Sequence, residues 1–186
     1  MADSVYYLPG HGGRLGKGLG EALMGRGFDI YGRETVGEFL ALRFTDQVEL
    51  VAEDLHTQCW HPHAQVIANS FGAYLFLHAQ ALLPPFIGRV LLLSPIVGEF
   101  SEEGASIGFI PPSPDRLLKL AQSGAYPAPM HCEIYVGAQD WQSNPENVLK
   151  LAALLDLPVT VVPDAGHMLG KEYVGKLLDA WLVRAG

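Results

Sequence analysis

VIANSFGAYLFL, residues 66–77, is the stretch on which the reading of this chain turns. Val66 and Ile67 are β-branched strand formers, and the residues after Gly72 form an apolar run, so a buried strand passes almost directly into a buried helix. Asn69 and Ser70 stand at the junction, where a hydroxyl without a partner would be costly to bury. In an open parallel sheet that junction lies at a strand's carboxyl end, the edge where ligands collect. Ala68, Asn69, Ser70, Phe71 and Gly72 fit small-x-Ser-x-small, a relaxed G-x-S-x-G. A sharp strand-to-helix turn leaves no room for large side chains two positions either side of the serine. Two roles stay open for Ser70 on these residues alone: a nucleophile held on that turn, or an N-cap for the helix beginning at Phe71.

Outward from this stretch, short β-branched or aromatic runs alternate with longer segments of helical period. SVYYLPG and FDIYG precede it, and GRVLLLSP, CEIYVGAQD and LPVTVVPDAG follow, so with AQVIANS the expectation is six strands. The alternation predicts an α/β fold, a three-layer sandwich with a mostly parallel sheet covered by helices on both faces. Val48, Val51, Leu55 and Cys59 form one apolar stripe, in a helix that Asp46 is expected to open with Glu49 as capping-box partner. Ser113 and Asn144 are the expected caps of helices beginning at Pro114 and Pro145. Val148, Leu151, Ala152 and Leu155 line the second of these, and Val174, Leu177, Leu178 and Trp181 line the last helix. Residues 96–114, rich in Gly, Pro and Ser, are long for a connection and are a candidate short lid loop.

With 186 residues the chain is expected to form one domain, 1–186. Hydrophobic residues make up 49% and charged residues 17%, a globular and not a disordered composition. Twenty acidic against twelve basic residues leave a formal charge of −8, with no basic block, so nucleic acid and anionic membranes are poor partners. No segment approaches the roughly 18 apolar residues of a membrane span, and the start MADSVYYLPG lacks a secretory pattern. A cytoplasmic location is the resulting expectation. Cys59 and Cys132, far apart and without metal or redox spacing, are expected to be reduced core thiols.

A serine hydroxyl needs a base within hydrogen-bond reach, itself oriented by a third group. Asp140 in YVGAQDW and His167 in VVPDAGHML each follow a predicted strand, at the sheet edge that carries Ser70. The order Ser, Asp, His is that of the hydrolase elbow motif. On ANSFG, GAQD and DAGH the chain resembles the alpha/beta-hydrolase superfamily through nearly its whole length, as a small, trimmed member lacking the usual first two strands. The resemblance implies a Ser70, His167, Asp140 triad and an oxyanion hole in the first loop, VYYLPGHGG. Pro9 and Gly10 take that family's His-Gly positions, which puts His11 at the donor station, with Phe71 as second donor and Gly12 as the alternative. Losing one such donor costs related enzymes roughly 3–4 kcal/mol of barrier.

The implied activity is that of a serine hydrolase cleaving small carboxylic esters or thioesters through an acyl-enzyme, with no cofactor and no metal. Trp141 and Met168 beside the triad, and Phe100, Ile107, Phe109 and Ile110 in the candidate lid, are the expected substrate-pocket residues. Glu99 is a rival acid, because some relatives draw theirs from the preceding strand, and Asp164 is badly placed to brace a ring three residues on. HGGRLGKGLG invites a phosphate loop, yet it has His11 and Gly18 where that motif needs Gly and Ser/Thr. His61 and His63 flank a proline in a turn, without the further ligands of a metal site. A non-catalytic binding module on the same fold is the competing reading. Acyl length and oligomeric state are not written in the sequence.

Overall fold

The computed structural model describes residues 3–101 and 108–183, and the side chains of these apart from 100, 101, 108 and 109. Six parallel strands form the sheet among the described residues: β1 (Ser4–Leu8), β2 (Asp29–Gly32), β3 (Gln65–Asn69), β4 (Arg89–Leu93), β7 (His131–Gly137) and β8 (Val159–Val162). A separate antiparallel ribbon pairs β5 (Phe100–Ser101) with β6 (Gly108–Phe109). Among the described residues seven helices lie between and after the strands: α1 (Leu19–Met24), α2 (Gly37–Ala41), α3 (Phe44–Gln58), α4 (Phe71–Gln80), α5 (Arg116–Gln122), α6 (Pro145–Leu155) and α7 (Lys171–Trp181). No described helix is long and apolar enough to cross a membrane.

Strand residues alternate between two apolar layers, as the two-residue period of a sheet requires. Tyr6, Leu8, Val66, Ala68, Val90 and Leu92 face one cluster, built with α3, α4, α5 and α6. Val5, Tyr7, Ile67, Leu91 and Leu93 face the other, built with Leu23 of α1 and Leu178 and Trp181 of α7. All ten residues of α4 are buried, so this helix is enclosed around its whole circumference and its apolar residues are not confined to one stripe. That accounts for the unbroken apolar character of residues 71–77.

The sheet order is β2-β1-β3-β4-β7-β8. From β1 the chain steps to β2 on one side, then returns past β1 to lay down β3, β4, β7 and β8 on the other side. Strand order therefore reverses between β1 and β3, and the loops leaving these two strands flank the crevice where such sheets bind ligands.

Expectations at two helix starts are corrected. α3 begins at Phe44, not Asp46, and no side chain caps it. The Asp46 carboxylate is drawn instead to the Arg43 guanidinium, at 2.8 and 2.9 Å. α5 begins at Arg116, and Ser113 adopts φ 56° without capping it. The carbonyls of Pro112 and Ser113 accept from the Tyr74 hydroxyl at 2.7 and 3.2 Å, a tertiary contact that sets the backbone there. Asn144 does cap α6, with Pro145 in the first turn. Cys59 and Cys132 are free and buried. Of the segment 96–114, residues 102–107 lie outside the described residues, Ile107 among them, and so do the side chains of Phe100 and Phe109.

Candidate active site

Ser70 occupies the turn between β3 and α4 at φ 52° and ψ −120°, a conformation that L-residues rarely adopt. The turn is held from several sides. The Ser70 amide donates to the Leu93 carbonyl at 3.0 Å, and its carbonyl accepts from Tyr74 at 3.2 Å and Ile96 at 3.3 Å. A Cβ on Gly72 would stand 2.2 Å from the Leu8 carbonyl oxygen, so only glycine lets α4 start this close to β1. The side chain of Ser70 makes no capping bond. Of its two open roles, the N-cap is thus absent, and the hydroxyl points elsewhere.

It points to His167. The Ser70 Oγ lies 2.8 Å from His167 Nε2, across 97 residues of sequence. On the other side of the ring, Nδ1 lies 3.0 Å from both Oδ1 and Oδ2 of Asp140. A carboxylate only accepts, so Nδ1 carries the proton and Nε2 presents its lone pair to the serine hydroxyl.

Backbone packing explains how two loops bring these groups together. Gly137 ends β7, and a Cβ there would meet the Ala165 and Gly166 carbonyl oxygens at 2.3 Å. With none, the loop after β8 lies directly on the loop after β7. The Ala138 amide donates to Val162 at 2.9 Å and the Gln139 amide to Ala165 at 2.8 Å. GAQD and DAGH are thereby clamped together, and the Asp140 to His167 contact follows from that clamp.

Asp140 is buried. Burial works to raise its pKa, but the hydrogen bond to His167, the Ser143 amide, the nearby imidazole charge and the Gln142 amide together outweigh it, leaving the carboxyl below its ordinary value. Both amides donate to Oδ1, Gln142 at 3.0 Å and Ser143 at 2.9 Å. Glu99 and Asp164 are exposed. Neither has a described contact with the ring.

The loop after β1 lies against the serine. A Cβ on Gly10 would be 3.1 Å from both Asn69 Nδ2 and Ser70 Cβ. Among the described residues, neither the His11 nor the Phe71 amide donates to a protein acceptor. The Gly12 amide is different: it donates to the Thr35 carbonyl at 2.9 Å. Gly12 is accordingly corrected as an alternative donor, because its proton is already engaged. The His11 ring stands edge-on to Phe71 at 5.9 Å.

Trp141 is half-buried, whereas Met168 is 83% exposed and so forms no wall of an enclosed pocket. Its place beside His167 in sequence does not carry its side chain inward. Ile110 is also exposed.

Two further residues build the site without having been anticipated. Thr35, fully buried, grips the loop after β1: its hydroxyl donates to the Gly10 carbonyl and accepts from the Gly13 amide at 3.0 Å, and its own amide donates to Gly13 at 3.1 Å. Nothing local marks it, since it sits in a connection and contacts residues 22 to 25 positions away. Ser143 touches both Asp140 and His167. Its only signal is its spacing, three residues after the proposed acid.

No family model matches the sequence, and no curated protein does. Solved structures do share the fold. The ydeN gene product of Bacillus subtilis has 15% identity and a TM-score of 0.64, over 96% of this chain and 97% of that one. A monoacylglycerol lipase from Paleococcus ferrophilus has 16% identity and a TM-score of 0.64, over 96% and 93%. A carboxylesterase structure from the thaumarchaeon Nitrososphaera gargenis has 12% identity and a TM-score of 0.61, over 96% and 89%. The chain has the alpha/beta-hydrolase fold.

Proposed function

We propose that this chain is a serine hydrolase acting on small carboxylic esters or thioesters. One observation carries the reading: a hydroxyl on a left-handed strand-to-helix turn, 2.8 Å from an imidazole that a buried carboxylate holds from behind. The esterase and lipase among its structural neighbours support the same chemistry.

Ser70 Oγ attacks the acyl carbon while His167 Nε2 takes the hydroxyl proton. Asp140 holds the ring in the reactive tautomer and stabilises the imidazolium that forms. The amides of His11 and Phe71 receive the oxyanion. His167 then gives its proton to the departing alkoxide or thiolate, leaving the acyl group on Ser70. Water, deprotonated by the same nitrogen, attacks this ester, and the carboxylic acid leaves with the serine restored. No cofactor enters the cycle.

Short p-nitrophenyl esters and acyl thioesters test the reading. The wild type is expected to hydrolyse at least one of these classes with saturation kinetics, and Ser70→Ala to lose roughly three or more orders of magnitude in kcat. Folded wild-type protein inert toward both classes would favour a binding module instead.

A further inference from the structure

Ser143 has no part in the cycle just described, yet it is nearly completely buried and makes contacts on three sides. Its amide donates to Asp140 Oδ1 at 2.9 Å. Its hydroxyl lies 2.6 Å from the Ser94 carbonyl oxygen, which can only accept, so the hydroxyl proton is committed there. What the oxygen presents to its third neighbour is therefore a lone pair, and that neighbour is His167 Nδ1, at 3.4 Å. Ser94 in turn follows Leu93, whose carbonyl takes the Ser70 amide. One hydrogen-bonded path thus runs from the Ser70 backbone through the end of β4 to Ser143, and from there to both the acid and the base.

We propose that Ser143 is a positioning residue for the His167 and Asp140 pair, an inference that rests on the hydrolase reading above. Its amide fixes the carboxylate while its hydroxyl oxygen, aimed by the Ser94 carbonyl, supplies a second acceptor for the Nδ1 proton. In the resting enzyme this acceptor adds little, because two carboxylate oxygens stand closer. When Nε2 takes the serine proton the ring becomes a cation, and an oxygen lone pair beside Nδ1 then gains in value. The contribution consequently falls on the transition state and not on substrate binding.

The test is steady-state kinetics of Ser143→Ala, Ser143→Cys and Ser143→Thr, beside the downfield proton spectrum of each. Ser143→Ala keeps the amide and removes the oxygen; kcat is expected to fall about tenfold with KM unchanged, the size of one hydrogen bond strengthened by charge. Ser143→Cys, nearly the same shape but a weak acceptor, is expected to lose kcat similarly at an unaltered melting temperature, and it carries the test should the alanine variant not fold. Ser143→Thr, which keeps the oxygen, is expected to recover most of the rate. With the ring made a cation by a bound boronic acid transition-state analogue, the Nδ1 proton resonance of His167 is expected to move upfield in the alanine and cysteine variants and to stay in place in the threonine variant. Full kcat in Ser143→Ala and Ser143→Cys, with an unmoved resonance and an active wild type, overturns the positioning role alone. An unreactive wild type overturns the hydrolase reading and this role with it.

Discussion

At Ser70 a backbone conformation and a side-chain contact explain each other. The positive φ is unfavourable by itself, and it persists because Leu93, Tyr74, Ile96 and Gly72 fix the turn around it. His78 shows a different buried polar group in the same helix. It is nearly fully enclosed, edge-on to Tyr74 at 4.4 Å and Phe44 at 5.0 Å, and its Nε2 finds no partner among the described residues. Arg116 stands 3.0 Å from its Nδ1. Burial first, and the Arg116 charge second, lower its pKa to about 3. An imidazole lowered in this way binds its proton more readily unfolded than folded. Its contribution to stability is thus complete above the ordinary imidazole range, about 6.5, and is lost as pH falls from there toward 3. Denaturant titrations at pH 7, 6, 5 and 4 are expected to show the wild type losing stability faster than His78→Gln, by up to about 1.4 kcal/mol per pH unit. Parallel curves for the two proteins would show that His78 titrates freely. Nothing in the sequence distinguished this histidine from the other six; only the depth of α4 does.

Among elements, the loop after β1 is where residue pattern and structure part company. The family resemblance of VYYLPGHGG put the oxyanion hole in this loop, but the loop's anchor is Thr35, beyond β2. Such a contact across 22 to 25 residues has no local spacing to betray it. Thr35→Val keeps the shape and removes the hydroxyl; it is expected to cost about 1–2 kcal/mol in stability and to lower kcat severalfold as the His11 amide loses its fixed position. Chemical denaturation and ester kinetics check both. A stable variant with full kcat would separate this loop from the reaction. Helix caps were legible only where backbone need and side chain coincided. Asn144 caps α6 through its side-chain oxygen, while Asp46 is claimed by its local neighbour Arg43 and the Ser113 backbone is held by the tertiary contact of its carbonyl with Tyr74.

For the molecule as a whole, the central strands could be read because burial on both faces makes β1, β3 and β4 apolar runs, and strand ends then carry polar residues to one rim. Ser70, Asp140 and His167 sit at three such ends, and the reversal between β1 and β3 puts the loop bearing His11 beside the first of them. Less legible was the substrate side. Trp141 and Met168 adjoin the proposed triad in sequence, yet Met168 turns to solvent, because a loop residue's direction follows from packing and not from its neighbours.

The proposed chemistry stands on one reactive hydroxyl, and a fluorophosphonate reports on it without any assumption about substrate. Incubated with the native protein and followed by peptide mapping, the probe is expected to modify the peptide containing Ser70 stoichiometrically and to leave Ser70→Ala unlabelled. Label that persists in Ser70→Ala, or a folded wild type that takes up none, would contradict the account.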